Sequence, residues 1–154
     1  MRLELVLLRA SPGHARTLTD IAFAAKRYWN YPENWIQFWS PQLTISPDYI
    51  LSNETWLAEV DGEAVAFYAL GQDGDCWELD HFWVRPSSIR QGLGTFLFHH
   101  ALARCRKHGI KVLKVESDPN AVGFYEKMGA RRVGERHMEV DGQPRQLPVL
   151  EMML

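Results

Sequence analysis

Ser117-Asp118-Pro119-Asn120-Ala121-Val122-Gly123-Phe124-Tyr125-Glu126-Lys127-Met128-Gly129-Ala130 joins a strand to a helix. Ile110 to Glu116, just before it, reads as a strand. Asn120 to Met128 reads as a short helix that Gly129 stops, glycine being the residue that takes a left-handed cap without steric cost. Upstream, Gln91-Gly92-Leu93-Gly94-Thr95 opens another helix. Its expected apolar face is Leu93, Phe96, Leu97, Ala101 and Cys105, and His108-Gly109 ends it. Downstream, Arg132 to Val140 reads as a strand, Asp141-Gly142 as a turn, and Leu147 to Leu154 as a last returning strand.

The first half extends the same alternation. Arg2 to Arg9, rich in Leu and Val, reads as a first strand. Ser11-Pro12 supplies a cap followed by proline at the first helical position, and Ala15, Leu18, Ala22, Ala25 and Trp29 follow at helical spacing. Asn30-Tyr31-Pro32 breaks that helix. A second is expected through Trp35 to Trp39 before Pro41, and Ser46-Pro47 repeats the cap-plus-proline signal for another turn or two. Thr55 to Val60 and Glu63 to Leu70 flank Asp61-Gly62, a hairpin turn signal. Gly71 to Asp75 reads as a polar loop and Cys76 to Val84 as a further strand. The order β-α-α-β-β-β-α-β-α-β-β makes residues 1–154 one mixed α/β domain, with no repeat and no linker.

Composition narrows the class. The chain has 154 residues, 46% of them hydrophobic, and a formal net charge of −2. That is one domain's worth of core, with no electrostatic footprint for nucleic acid or an anionic membrane. The apolar run Ala64 to Leu70 is far short of a membrane span, and the Leu-rich start after Arg2 is too short and interrupted for a signal peptide. With two cysteines only, Cys76 and Cys105, a disulfide scaffold is not expected. A cytosolic domain is the expectation.

Glycines at a helix start let the backbone approach a ligand and leave N–H groups pointing outward, where the helix dipole favours an anion. That suggests phosphate or pyrophosphate, although a tight strand–helix turn needs glycine for sterics alone. A P-loop is excluded because Thr95-Phe96, not Lys-Ser/Thr, follows Gly94. A dinucleotide fingerprint is excluded because Leu97 stands where a third small residue belongs, behind what reads as an antiparallel meander.

The Ser117–Ala130 segment resembles the strand-to-helix motif of the GNAT superfamily, the GCN5-related N-acetyltransferases. Phe82-Trp83-Val84-Arg85-Pro86 followed by Gln91-Gly92-Leu93-Gly94 resembles the pyrophosphate motif of the same superfamily. The two occur in the right order, about 30 residues apart. The likeness runs over roughly residues 55 to 140. Two departures stand out: Ile89 lies three positions before Gly92, where relatives usually carry Arg or Gln, and Asp118 replaces a frequent Asn.

The resemblance implies a mostly antiparallel six- to seven-stranded sheet, flanked by about four helices and splayed at its centre to admit acetyl-CoA (coenzyme A). It implies that Phe82, Trp83 and Val84 face the pantetheine arm. Arg90, Gln91, Gly92, Leu93, Gly94 and Thr95 would hold the pyrophosphate, Asp118, Asn120 and Phe124 the pantetheine side, and Lys127 with Arg90 the adenosine phosphates. Lys127 could equally be a solvated surface residue. Tyr125 occupies the family's general-acid position.

Acyl transfer to an amine sets the remaining requirements. An alkylammonium has a pKa of about 10.4 and no lone pair, so a base must take its proton. The developing oxyanion needs hydrogen-bond donors and the leaving thiolate an acid. Glu78 and Asp80 are the candidate bases. Simple alternation places them on one face of their strand and His81 on the other, unless a bulge intervenes. The aromatic cluster around Tyr28, Trp29, Tyr31 and Trp35 falls in the helix–loop–helix that roofs the acceptor site in relatives. Tyr28, Trp29, Tyr31 and His81 are therefore the candidate acceptor contacts, whereas Trp35 and Trp39 equally suit packing of helices on the sheet.

No metal is expected: His-Glu-x-x-His and Cys-x-x-Cys spacings are both missing. The sequence thus predicts an acetyl-CoA-dependent N-acetyltransferase acting on a small-molecule primary amine. Alternatives are a protein N-acetyltransferase and a catalytically silent acyl-CoA-binding sensor. The terminal strand pair offers an edge that a homodimer could use.

Overall fold

The computed structural model describes residues 4–89 and 91–154. Its elements are β1 (Leu5–Arg9), α1 (Ala15–Arg27), α2 (Glu33–Leu43), α3 (Pro47–Ser52), β2 (Glu54–Val60), β3 (Glu63–Asp73), β4 (Cys76–Val84), α4 (Leu93–Lys107), β5 (Val112–Glu116), α5 (Val122–Lys127), β6 (Arg131–Val140) and β7 (Gln143–Met153). The seven strands form one sheet in the order β1-β2-β3-β4-β5-β7-β6. Every neighbouring pair is antiparallel except β4 and β5. The expected mixed α/β sheet is what the chain forms, with five α-helices rather than about four among the described residues. None of them is long and apolar enough to cross a membrane.

The sheet buries both faces. One packs on α4 and α5 through Tyr68, Leu79, Leu97, Phe98, Leu113 and Tyr125, and the other packs on α1, α2 and α3 through Leu18, Ile21, Ile36, Leu57 and Phe67. This double burial explains the nearly unbroken apolar run of β3, in which Val65 through Gly71 are all buried.

Several elements differ from their sequence-based bounds. Strand β3 runs on to Asp73, so the polar Gly71–Asp75 segment is ladder plus a tight turn at Gly74, not a loop; Gly71, Gln72 and Asp73 pair with Glu78, Trp77 and Cys76. Helix α2 passes through Pro41 to Leu43 instead of ending before the proline. Only one ladder bond is lost that close to the end, the Thr44 N–H still reaches the Ser40 carbonyl at 3.0 Å, and Leu43 is buried. Helix α1 stops at Arg27, short of Trp29. On α4 Phe96 is 48% exposed, and Phe98 and Leu102 occupy the core instead. The last strand starts at Gln143, because Asp141-Gly142 makes a tight hairpin with Val140 paired to Gln143. Arg2 and Leu3 of the expected first strand lie outside the described residues.

Two features of β4 position the site. It pairs with β5 only at Trp77–Leu113 and Glu78–Lys114, so beyond Glu78 the strands part and leave a cleft in the sheet. The register against β3 also shifts there: Ala69 faces His81 but Leu70 faces Leu79, which leaves Asp80 as the extra, bulged residue. The bulge reverses the alternation. Leu79, Phe82 and Val84 pack toward α4, while His81 and Trp83 pack toward α1–α3.

Candidate active site

The gap between β4 and β5 opens into two clefts, one on each side. The first, of about 530 Å³, runs from Leu79, Asp80, Phe82, Trp83 and Val84 past Ser88 and Ile89 to Gly92, Gly94 and Thr95. Its other wall is Glu116, Asp118, Asn120, Ala121, Phe124, Tyr125 and Lys127, and Tyr28 and Trp29 close its rim. Gly92, at φ +75°, holds the left-handed turn that precedes the first turn of α4. No acidic residue stands in that turn, so no carboxylate of the helix itself competes with an incoming anion for its N–H groups. Gly94 lies against Phe124, where an added Cβ would sit 3.5 Å from the ring.

Tyr125 is 6% exposed, held by the rings of Phe82, Phe98 and Phe124 at centroid distances of 6.1, 5.7 and 5.3 Å. Burial, reinforced by the Asp118 charge, raises its hydroxyl above the ordinary tyrosine range. The group therefore remains a proton donor at any physiological pH.

The second cleft, of about 640 Å³, lies under α2 and α3 and against β6. Phe38, Trp39, Leu43, Tyr49, Trp83, Met138 and Leu147 give it a mostly apolar wall; Lys26, Asp80, His81, Glu116, Arg136 and Glu139 supply its charged and titratable groups. Asp80, Trp83 and Glu116 line both clefts. Asp80 is thus the carboxylate at the junction that holds no cation among the described residues, since Glu116 is paired with Lys114 at 3.3 Å and Arg136 at 3.0 Å.

The sequence candidates fall into separate groups. Phe82, Trp83, Val84, Gly92, Gly94, Thr95, Asp118, Asn120, Phe124, Tyr125 and Lys127 all line the first cleft. Gln91 donates its amide to the Ser87 carbonyl at 3.4 Å, Leu93 is buried under the turn, and Arg90 lies outside the described residues. Tyr28 and Trp29, expected at the acceptor, follow the end of α1 and stand on the rim of the first cleft. Glu78 lines neither cleft. Burial and then the nearby Asp80 charge raise its carboxyl above the usual range. His81 joins Asp80 at the second cleft, which plain alternation does not allow and the bulge produces.

Tyr31 lines neither cleft. Its hydroxyl donates to Asp118 Oδ2 at 2.8 Å and accepts from Arg145 at 3.0 Å. Asp118 also receives Lys26 Nζ at 2.8 Å, and all three charged side chains are about nine-tenths buried. Lys26 Nζ sits 4.1 Å from the Trp39 ring centre, and Arg145 packs on Tyr31, Trp35 and Trp39. Burial works against the Asp118 carboxylate, but Lys26 and the hydrogen bonds prevail and hold it below the usual range. Part of the tryptophan-rich cluster is thus a cage around a buried ion cluster that ties α1 and α2 to β7 and to the turn after β5. Asn120 Nδ2 also bonds Tyr31 and Asp118. Tyr49, at the second cleft, is a residue that the sequence reading did not single out. The Ser46-Pro47 signal gave the helix that carries it, but no local pattern shows that Tyr49 reaches across to donate to Asp80. Among the described residues, no group of three or more His, Cys, Asp or Glu is placed to hold a metal.

Comparison with known proteins converges on one family. Residues 17–130 match the model of the acetyltransferase (GNAT) family. Over 107 residues the chain is 31% identical to peptidyl-lysine N-acetyltransferase YjaB of Salmonella typhimurium, covering 69% of this chain and 68% of that one. In overall structure it is similar to a GCN5-related N-acetyltransferase from Rhodopseudomonas palustris (TM-score 0.82, 19% identity, 100% of this chain and 99% of the other). It is also similar to the PaiA N-acetyltransferase of Thermoplasma acidophilum, solved with coenzyme A (TM-score 0.78, 20% identity, 98% and 99%). A third likeness is to a GNAT family acetyltransferase of Elizabethkingia anophelis with acetyl-CoA bound (TM-score 0.67, 18% identity, 97% and 98%).

Proposed function

This chain belongs to the GNAT acetyltransferase family, and from that premise we propose that it moves an acetyl group from acetyl-CoA directly to the primary amine of a small molecule, with Asp80 as base and Tyr125 as acid. The observation that carries this reading is the meeting of two clefts at Asp80 and Trp83. A donor and an acceptor bound in them from opposite sides come together beside a carboxylate.

The first cleft suits acetyl-CoA on its own features. The N–H groups of the Gly92–Thr95 turn face outward for the pyrophosphate, and Lys127 stands at the same cleft for a phosphate. The open edges of β4 and β5 leave backbone groups free for the amides of the pantetheine arm. Acetyl-CoA, when bound, supplies the thioester carbonyl. Asp80 accepts the amine proton, the Tyr125 hydroxyl donates to the departing sulfur, and the walls of Phe82, Phe124 and Trp83 exclude water. Both cysteines are free thiols, which suits a cytosolic enzyme.

A peptidyl lysine is the second acceptor to consider, favoured by the function named for the Salmonella relative. Its side chain brings the same alkylammonium to the second cleft. The test is titration of acetyl-CoA into the parent protein and the Gly92→Glu variant, followed by thiol-release assays on small amines and lysine peptides. Saturable binding lost in the variant, with turnover on a small amine, is the expected result. Turnover on peptides alone moves the acceptor to protein. Binding with no turnover on either set leaves a silent acyl-CoA sensor, and no binding by folded parent protein ends the reading.

A further inference from the structure

His81 stands beside the candidate base Asp80, and its hydrogen bonding decides what it can do. Trp83 Nε1 lies 2.9 Å from His81 Nδ1. An indole nitrogen can only donate, so Nδ1 must be the accepting, unprotonated nitrogen of the imidazole. The neutral ring then carries its hydrogen on Nε2. That atom faces Asp80 Oδ2 at 3.9 Å, too far for a direct bond and near enough for one bridging water. The His81 side chain is 11% exposed, packed against Phe67 and edge-on to Tyr49. Tyr49 donates its hydroxyl to the same Asp80 Oδ2.

We propose that Trp83 locks His81 as the neutral Nε2–H tautomer, making it a positioning residue that, together with Tyr49, occupies Asp80 Oδ2 and leaves Oδ1 as the oxygen that takes the acceptor's proton. Its catalytic consequence rests on the acetyl-transfer reading above; the tautomer itself does not. Adding a second proton to His81 means placing it on Nδ1, against the Trp83 N–H. Burial pushes in the same direction, lowering the imidazole below its ordinary range despite the pull of Asp80. The other titratable and charged groups around it are Tyr49 on α3, Glu78 on its own strand and, across the cleft, Lys26 on α1, Glu116 on β5, and Arg136 and Glu139 on β6. Lys26, Glu116 and Arg136 are paired elsewhere. The second cleft therefore keeps an uncharged donor beside Asp80 through the pH range in which free histidine titrates, and an ammonium acceptor meets no imidazolium there.

Three measurements test this. Two-bond 1H–15N correlation spectra of histidine-labelled parent protein, with His81 assigned from the His81→Gln spectrum, read the tautomer without any substrate. The Nε2–H pattern from about pH 5.5 to 8 is expected; an Nδ1–H pattern, or an imidazolium pattern at about pH 6, overturns the proposal. Trp83→Phe removes the N–H that blocks Nδ1 and should add to kcat/KM an acid limb that the parent lacks, lowering the ratio of activity at about pH 6 to that at pH 8 several-fold relative to parent. An unchanged profile shape in folded Trp83→Phe overturns it. Finally, glutamine can place an N–H where Nε2–H stands, whereas leucine cannot. His81→Gln should turn over at least about tenfold faster than His81→Leu, and equal rates mean that His81 is mere packing. If no acceptor is acetylated by parent protein, the acetyl-transfer reading falls, and the spectra still decide the tautomer.

Discussion

At the scale of single residues, two carboxylates two positions apart are asked to do different things. Asp80 stands where the clefts meet; Glu78 lines neither and is pushed toward its neutral form by burial and by Asp80. Asp80→Asn should therefore lower kcat by about 10²–10⁴-fold, the usual range for a positioned base, with acetyl-CoA affinity nearly kept. Glu78→Gln should cost less than about tenfold in the same steady-state assay. A larger loss from Glu78→Gln than from Asp80→Asn would transfer the base role. Tyr125→Phe keeps the ring among Phe82, Phe98 and Phe124 and removes only the hydroxyl, so kcat should fall while acetyl-CoA binding by calorimetry is retained. Because Tyr125 is raised above the ordinary range, it gives no alkaline limb to kcat below about pH 10. The sequence displayed Tyr125 plainly because its neighbours form a local motif. It displayed Glu78 and Asp80 as equals, because what separates them is a register shift against Ala69 and Leu70 of the neighbouring strand β3, which local pattern does not show.

At the scale of elements, the bulge at Asp80 depends on a glycine opposite. An added Cβ at Gly71 would lie 3.2 Å from the Asp80 Cβ, tighter than packing allows without movement. Gly71→Ala should thus displace Asp80 and reduce kcat/KM by about tenfold or more, while the melting temperature changes by only a few degrees. Equal, small effects on both would show that the bulge tolerates the methyl group. On the opposite face, Glu54 at the start of β2 clasps α4. It receives the Arg104 guanidinium, His108 Nε2 at 2.7 Å and Trp56 Nε1 at 3.0 Å, with its own side chain 9% exposed. Burial alone would raise its carboxyl, but these donors outweigh it and bring the value to about 2. The folded state therefore holds the proton less tightly than the unfolded chain, whose value is about 4.3. The resulting stability is fully present above that value and is lost as pH falls toward 2. Glu54→Gln should cost about 1–3 kcal/mol at neutral pH and flatten the acid limb of stability, read by urea unfolding across pH. Caps and turns such as Ser46-Pro47 and Asp61-Gly62 were legible from sequence because each is a local choice. The reach of β3 to Asp73, the survival of α2 beyond Pro41 and the clasp of Glu54 are tertiary, and local pattern carries no trace of them.

At the scale of the molecule, the parted β4 and β5 open one sheet to two clefts. Whether acetyl passes directly or by way of the protein depends on what stands at the junction, and that is Asp80, Trp83 and Glu116. None of these is a thiol or a hydroxyl. Cys105 is buried on α4 and Cys76 is exposed where β4 begins, and neither lines a cleft. Ser88 and Thr95 line only the first cleft, at its glycine-turn end, and Ser88 is buried. His81 presents Nδ1 to Trp83, not to a ligand. Among the described residues that line the clefts, the hydroxyl that meets a carboxylate is that of Tyr49 on Asp80, and burial together with Asp80 raises it above the ordinary tyrosine range, so it keeps its proton instead of attacking the thioester. On the direct transfer proposed above both ligands are bound together, and initial rates over a grid of acetyl-CoA and amine concentrations should give intersecting double-reciprocal lines. Parallel lines, or acetyl label retained on protein after gel filtration in the absence of amine, would place a covalent step in the path. On the same proposal acetyl-CoA should stabilise the fold on its own, by about 2.7 kcal/mol at a hundredfold excess over its dissociation constant, by occupying the first cleft before any acceptor arrives. A melting temperature that rises only when amine is added as well would mean that the two clefts are not independently formed.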